Sequence, residues 1–247
     1  MKIAVISDIH ANLPALETVL AHIQEQGIQH VWNAGDLIGY GAFPDQVITL
    51  IQSLNIPSII GNYDQKVLKF PQKAAKWVDR KKPNKFLAFK WAYQQLSPNS
   101  LAYLWALPEE LRFTINGYAI LITHGSPASN EEHIGPLTPA KRLIELANLA
   151  QADIIICGHS HQPFCREIQG IWFLNPGSVG RPDDGDPRAS YAVLNLEPSH
   201  ISVTHYRLAY DIDRAVEGVR QAGLPEVFAQ MLIQGRNLDA MNPQGEL

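Results

Sequence analysis

Along the first sixty residues, short apolar runs alternate with longer segments whose apolar positions recur at helical spacing. Residues 2–7 (KIAVIS) form a β-branched run of the kind that makes a buried strand. Leu13, Leu16, Val19, Leu20 and Ile23 then line one face of a helix, with Asn12 placed to cap it and Gly27 to stop it. Residues 29–36 (QHVWNAGD) read as a second strand. Residues 44–54 read as a second amphipathic helix, through Val47, Leu50, Ile51 and Leu54, and 56–62 (IPSIIGN) as a third strand. Strand–helix–strand–helix–strand at this spacing predicts parallel pairing with right-handed crossovers.

The alternation then stops. Residues 65–110 are helical, aromatic and basic, ending in a short helix that Pro108 closes. The β-pattern resumes at 111–125, where Asn116-Gly117 between alternating apolar residues is a strong hairpin signal. A helix over 138–151, a buried strand over 152–161 and a hairpin about Gln169-Gly170 follow. A last antiparallel pair covers 188–196 and 200–208, and from Asp211 the chain turns helical and then polar. About ten strands with helices outside them would make a very wide single sheet for this length. The pattern therefore predicts an α/β fold of two sheets packed face to face. All of residues 1–247 are read as one domain, with 65–110 a helical, basic, cap-like insertion.

Composition narrows the class. The chain is 46% apolar and 18% charged, as soluble globular proteins are. A formal charge of −4 gives no whole-protein reason to expect nucleic acid or an anionic membrane. The charge is uneven. Nine of the twenty basic residues lie between Lys66 and Lys90 against one acid, Asp79, which leaves eleven basic and twenty-three acidic residues elsewhere. Two cysteines, Cys157 and Cys165, can build neither a disulfide framework nor a thiolate cluster, which fits a reducing cytoplasm. The first fourteen residues lack the apolar core of a signal peptide, and no run approaches the length of a membrane span.

The chemistry collects where the apolar runs end. The first strand ends in Asp8 and His10, the second in Asp36 and the third in Asn62. The run at 118–125 ends in His124, and the run at 152–161 in His159 and His161. Ligands of open α/β sheets bind beyond the carboxyl ends of strands. Imidazoles, carboxylates and one amide, with no thiolate, suit first-row divalent ions: manganese first, with iron, nickel, cobalt or zinc as alternatives. Seven donors are too many for one tetrahedral ion and about right for two ions sharing a carboxylate. If the backbone is extended there, the i, i+2 spacing of Asp8 with His10, and of His159 with His161, puts each pair on one face. Two adjacent divalent ions are machinery for in-line displacement at phosphorus.

These residues resemble the calcineurin-like metallophosphoesterase family. Its motifs D-x-H, G-D, G-N-H-D/E, a lone H and G-H-x-H stand here in order. They are Asp8-Ile9-His10, Gly35-Asp36, Gly61-Asn62-Tyr63-Asp64, His124 and Gly158-His159-Ser160-His161. The segment from Asn175 to Leu194 resembles the small prokaryotic phosphodiesterase and phosphatase branch of the family. The resemblance implies a four-layer α-β-β-α sandwich of two mixed sheets. It implies that Asp8, His10, Asp36 and His161 hold one ion, and that Asp36 bridges to a second completed by Asn62, His124 and His159. It further implies hydrolysis of phosphomono- or phosphodiesters by in-line attack of a metal-bridging hydroxide held at Asp36. His124 would stabilise charge on the transferred group and His10 would assist near the leaving group. The substrate would be a phosphorylated small molecule, such as a nucleotide or dinucleoside polyphosphate, or a phosphoprotein. A second reading, from another class, is a non-catalytic protein-binding scaffold on the same fold.

Tyr63 departs from the family pattern, which has His there. A phenol donates a hydrogen bond but is a poor proton source at neutral pH, so weaker general-acid help is expected; the bland reading is a ring packed on the rim. The lysines of 66–90 either form an electropositive cap over the ions or a solvated helical face. Trp77, Phe86, Phe89 and Trp91 either stack on a base or build the insertion's interior. Arg181 is the candidate phosphate clamp, because guanidinium can bind two phosphoryl oxygens. His22, His30, His133, His200 and His205 are expected at the surface, with His133, in the loop after His124, the nearest to the site in sequence.

Overall fold

In the strand β1 (Lys2–Ile6), Ile3 and Val5 belong to one buried cluster and Ala4 and Ile6 to another, and all four are inaccessible to solvent. A strand buried on both faces must lie between two layers. In the computed structural model, which describes residues 1–198 and 200–241, it does. Residues 242–247, at the polar end of the chain, lie outside the described residues.

After β1 come α1 (Leu13–Glu25), β2 (His30–Asn33) and α2 (Pro44–Ser53). Four helices follow in succession: α3 (Asn62–Leu68), α4 (Phe70–Trp77), α5 (Pro83–Gln95) and α6 (Pro98–Ala106). Then come β3 (Glu110–Ile115), β4 (Tyr118–Thr123), α7 (Ala140–Ala150), β5 (Ile154–Ile156), β6 (Phe164–Ile168) and β7 (Ile171–Asn175). The chain ends with β8 (Ala189–Glu197), β9 (His200–Leu208), α8 (Ile212–Gln221), α9 (Glu226–Gln234) and α10 (Leu238–Met241).

The strands form two mixed sheets, ordered β2-β1-β8-β9 and β3-β4-β5-β7-β6. Ile3, Val5 and Leu194 of the first meet Ile122, Ile154 and Ile156 of the second in the central core. Leu16, Val19, Val47 and Ile51 of α1 and α2 cover the outer face of the first sheet, and Leu143 and Leu146 of α7 cover that of the second. This is the expected four-layer α-β-β-α arrangement. Both predicted hairpin turns form: Asn116-Gly117 and Gln169-Gly170 all take positive φ, between 50° and 87°, the pairing that matches strand twist.

One predicted strand does not form. The segment at 56–62 makes a single parallel bridge, Asn33 to Ser58, because Pro57 brings no N–H and the chain turns into α3 at Asn62. Nine strands are present among the described residues. In the basic segment, Phe70, Phe89, Leu96 and Leu104 join the same buried cluster as α1 and α2, with Phe70–Phe86 and Trp77–Phe89 ring contacts at 5.3 and 5.7 Å. Its aromatics therefore build its interior. Lys69, Lys73, Lys76 and Lys90 are solvated, while Lys66 and Lys85 face the cavity described below. Among the described residues, no helix is long and apolar enough to cross a membrane.

Candidate active site

Asp8 follows β1, Asp36 follows β2, His124 follows β4, and His159 and His161 follow β5; Asn62 opens α3. Parallel pairing of β1 with β2 and of β4 with β5 brings these ends to one edge of the sandwich. The expected extended backbone is not what aims the side chains. Asp8, His10, Asp36, His159 and His161 all have positive φ, between 48° and 62°. These are left-handed conformations that cost non-glycine residues free energy and persist only where the surroundings enforce them. Asp8 with His10, and His159 with His161, therefore converge through tight left-handed turns and not through i, i+2 alternation in an extended strand.

The enforcement is visible. Asp8 N–H donates to Gly35 O at 2.9 Å, His10 N–H to Asp36 O at 3.1 Å and Gly158 N–H to His124 O at 2.8 Å, which laces the loops together. Gly61 is required where it stands, because a Cβ would overlap the Asp36 carboxylate and backbone nitrogen. Asp64, fully buried, accepts from Gly61 N–H at 2.9 Å, Ile38 N–H at 3.1 Å and Leu37 N–H at 3.3 Å. It is a strut that binds the Asp36 loop to α3. Burial, and then the Asp36 charge, push its carboxyl up to about 7 against the pull of those N–H groups.

Two groups of three result. One atom each from Asp8, His10 and His161 lie within 4.8 Å of one another, and so do one each from Asp36, His124 and His159. His10 Nε2, 3.8 Å from Asp36 Oδ2, links the groups. Asn62 Oδ1 lies 3.2 Å from His124 Nε2. All seven predicted ligand residues thus gather in one place.

Hydrogen bonding sets which nitrogens are free. His161 Nδ1–H donates to Arg181 O at 2.6 Å, His124 Nδ1–H to Ala34 O at 2.8 Å and His159 Nε2–H to Glu131 O at 3.1 Å. In the neutral rings the opposite nitrogens keep their lone pairs, the pattern by which outer hydrogen bonds orient metal-binding histidines. The carboxylates are divided likewise. Asp8 Oδ2 accepts His159 N–H and Asp36 Oδ1 accepts Tyr63 N–H, at 3.0 and 2.7 Å. Asp8 Oδ1 and His10 Nδ1 are buried without partners. Burial alone would raise Asp36 and lower His124. Their mutual attraction outweighs it, holding Asp36 down at about 2 and His124 up at about 9.

Arg181 is 8% exposed and no carboxylate pairs with it among the described residues. Its guanidinium lies over the rings of Tyr40 and Tyr63, 4.8 and 5.6 Å from their centroids, and Nη2 is 3.4 Å from His161 Nε2. Tyr63 is half-buried, its hydroxyl 3.1 Å from that of Tyr40. Both tyrosines, Arg181, Asp36, Asn62 and His161 line a cavity of about 320 Å³.

His133 is not a plain surface residue. Its ring is 4.3 Å from that of His159 and it lines the same cavity. His205 Nε2–H donates to Asn175 O at 2.8 Å. His22 Nδ1 meets the Tyr191 hydroxyl at 2.7 Å, so both are structural. Sequence reasoning missed Tyr40 and the α10 wall, Asn237 to Asp239. Tyr40, between two glycines and with φ 66°, left a faint signal. A four-residue helix far beyond the last motif left none.

The chain is similar to known proteins over most of its length. Residues 1–199 match the calcineurin-like phosphoesterase superfamily domain. An uncharacterised protein of Methanocaldococcus jannaschii is 33% identical over 251 residues, covering 95% of this chain and 98% of its own. Phosphodiesterase YfcE of Escherichia coli is 28% identical over 209 residues, 79% of this chain and 88% of its own. The crystal structure of a metallophosphoesterase from Sphaerobacter thermophilus has a TM-score of 0.77 at 32% identity, covering 95% of this chain and all of its own. By its strand-end motifs, its sandwich and the match across four-fifths of its length, this chain belongs to the calcineurin-like phosphoesterase superfamily.

Proposed function

We propose that the chain is a dinuclear-metal phosphatase or phosphodiesterase. The observation that carries the reading is the pair of acid–imidazole groups, joined through His10 and Asp36, at the foot of one cavity. The residues fit metal ions. Asp8 Oδ1 is a buried carboxylate oxygen without a partner, and His10 and His161 turn Nε2 atoms toward each other at 3.1 Å. A buried carboxylate oxygen 3.2 Å from His161 Nε2 and 3.9 Å from His10 Nε2 is a donor set of the kind that holds a cation. Asp8, His10, Asp36 and His161 would hold one ion; Asp36, Asn62, His124 and His159 would hold the second. Mixed nitrogen and oxygen donors favour manganese, with iron, nickel, cobalt or zinc as alternatives. When bound, such ions polarise phosphoryl oxygens and make hydroxide available at neutral pH.

The chain's own groups supply the rest. Arg181, with no carboxylate to neutralise it, offers its guanidinium to two phosphoryl oxygens. The guanidinium lies over the faces of Tyr40 and Tyr63, a cation–π contact that uses none of its N–H groups; among the described residues only Nη2 has a near neighbour, His161 Nε2 at 3.4 Å. His124 and Arg181 stabilise charge on the phosphoryl group, His10 assists near the leaving oxygen, and Tyr63 donates a hydrogen bond there. The cysteines, Cys157 buried and Cys165 half-buried, are both unpaired, and a cytoplasmic site of action suits them.

The test is hydrolysis of an aryl phosphodiester and an aryl phosphomonoester with added Mn²⁺. Turnover should need the metal, and Asp36→Ala should lower it by at least about a thousandfold. No metal-dependent turnover on a broad panel would favour the protein-binding scaffold instead.

A further inference from the structure

The cavity's outer wall comes from a part of the chain beyond the matched family domain, which ends at residue 199. Asn237, Leu238 and Asp239, at the start of α10, line it opposite the insertion helices. Apolar burial holds this wall in place. Leu238 is 3% exposed and shares a cluster with Ala88 of α5, Tyr40, and Phe228 and Met231 of α9. Tyr40 packs edge-on against Phe228 at 5.1 Å, so the C-terminal helices also back the shelf that carries Arg181.

The rim is tied at its corners. Lys66 of α3 reaches Glu131 in the loop after β4 at 2.7 Å. Lys85 and Lys82 reach Asp239 of α10 at 2.9 and 2.8 Å. Asn237 Nδ2 donates to Asp183 at 3.3 Å, beside the Arg181 loop. These ties join the 131–133 loop to the insertion, the insertion to α10 and α10 to the Arg181 segment, so three sides of the cavity are tied. Among the described residues no ion pair or hydrogen bond ties the remaining side, between the Arg181 segment and the 131–133 loop. The exposed ion pairs are individually weak and can open for a small solute. The packed Leu238 is not so easily moved.

A bound polypeptide needs an extended path on both sides of its modified residue, advancing about 3.3 Å per residue. The tied rim leaves room for such a path on one side at most. A volume of about 320 Å³ also lies at the low end of ligand pockets. We infer that the site takes small phosphoesters, not phosphorylated polypeptides, and that Leu238 and Asp239 of α10 set this limit. The inference rests on the phosphoesterase reading above.

Two competitors with the same phosphoryl group separate size from chemistry. Free phosphotyrosine and a decapeptide with phosphotyrosine at its centre are titrated against turnover of the aryl ester used above, in the metal-loaded full chain. The peptide's inhibition constant should be at least about thirtyfold weaker. Leu238→Ala and Asp239→Ala should each narrow that gap by about fivefold or more, chiefly by improving the peptide. Asp239 is exposed, so its variant keeps the test decisive if Leu238→Ala folds poorly. Equal inhibition in the unaltered chain, or a gap that neither variant narrows, would overturn the inference. Absence of aryl-ester turnover would instead bring down the phosphoesterase reading, and this inference with it.

Discussion

Tyr63 and Asp64, neighbours at the start of α3, do different work: one lines the cavity and the other braces the loops beneath it. The resemblance places a histidine at 63, oriented by the acid that follows. Here Asp64 is fully buried and its oxygens accept from three backbone N–H groups. The Tyr63 hydroxyl meets Tyr40. Turnover should therefore depend steeply on leaving-group basicity, and Tyr63→His should flatten that dependence across a series of aryl phosphates. An unchanged slope would remove Tyr63 from the leaving-group side. Asp64→Ala strands three N–H groups in a buried loop. It should cost the metal-free protein about 3 kcal/mol in urea unfolding. A loss below about 1 kcal/mol would show that the loop stands without it.

At the scale of elements, caps and turns decide where strands deliver their side chains. Asn12 accepts from Ala15 N–H at 3.2 Å as the cap of α1, while its amide donates to Gly180 O at 2.8 Å and to the Tyr210 hydroxyl at 3.0 Å. It thus joins the first crossover to the Arg181 loop. Asn12→Ala should destabilise by about 2 kcal/mol, more than a bare cap, and should also weaken phosphate inhibition of turnover through Arg181. A cap-sized loss with unchanged inhibition would limit Asn12 to the helix. Much of this level was legible in the sequence. Asn12, both hairpin turns and the β-branched run of β1 are local signals, and local physics carries them. What failed was nonlocal. The run at 56–62 looks like a strand until Pro57 and the turn at Gly61 are weighed against it. The left-handed backbone at Asp8, His10, Asp36, His159 and His161 is enforced by hydrogen bonds from loops far away in sequence, so no local pattern records it.

For the whole molecule, the sandwich is a device for gathering. Side chains spread from position 8 to position 161 meet because parallel strands in two sheets end at one edge, and the ordered motifs made that meeting legible in advance. The surroundings of the site were less so. The insertion, the loop at 131–133 and α10 reach it by packing that no spacing encodes, as when Leu238 and Ala88, far apart in the chain, share one buried cluster. The central claim, that these groups hold a pair of divalent ions that power hydrolysis, is most directly tested by the metal content of the full chain. It would be loaded with Mn²⁺, freed of excess and measured by elemental mass spectrometry beside Asp36→Ala. The account predicts about two ions per chain, falling to one or fewer in the variant together with turnover. A loaded chain that retains no ion, or a variant that keeps both, would contradict it.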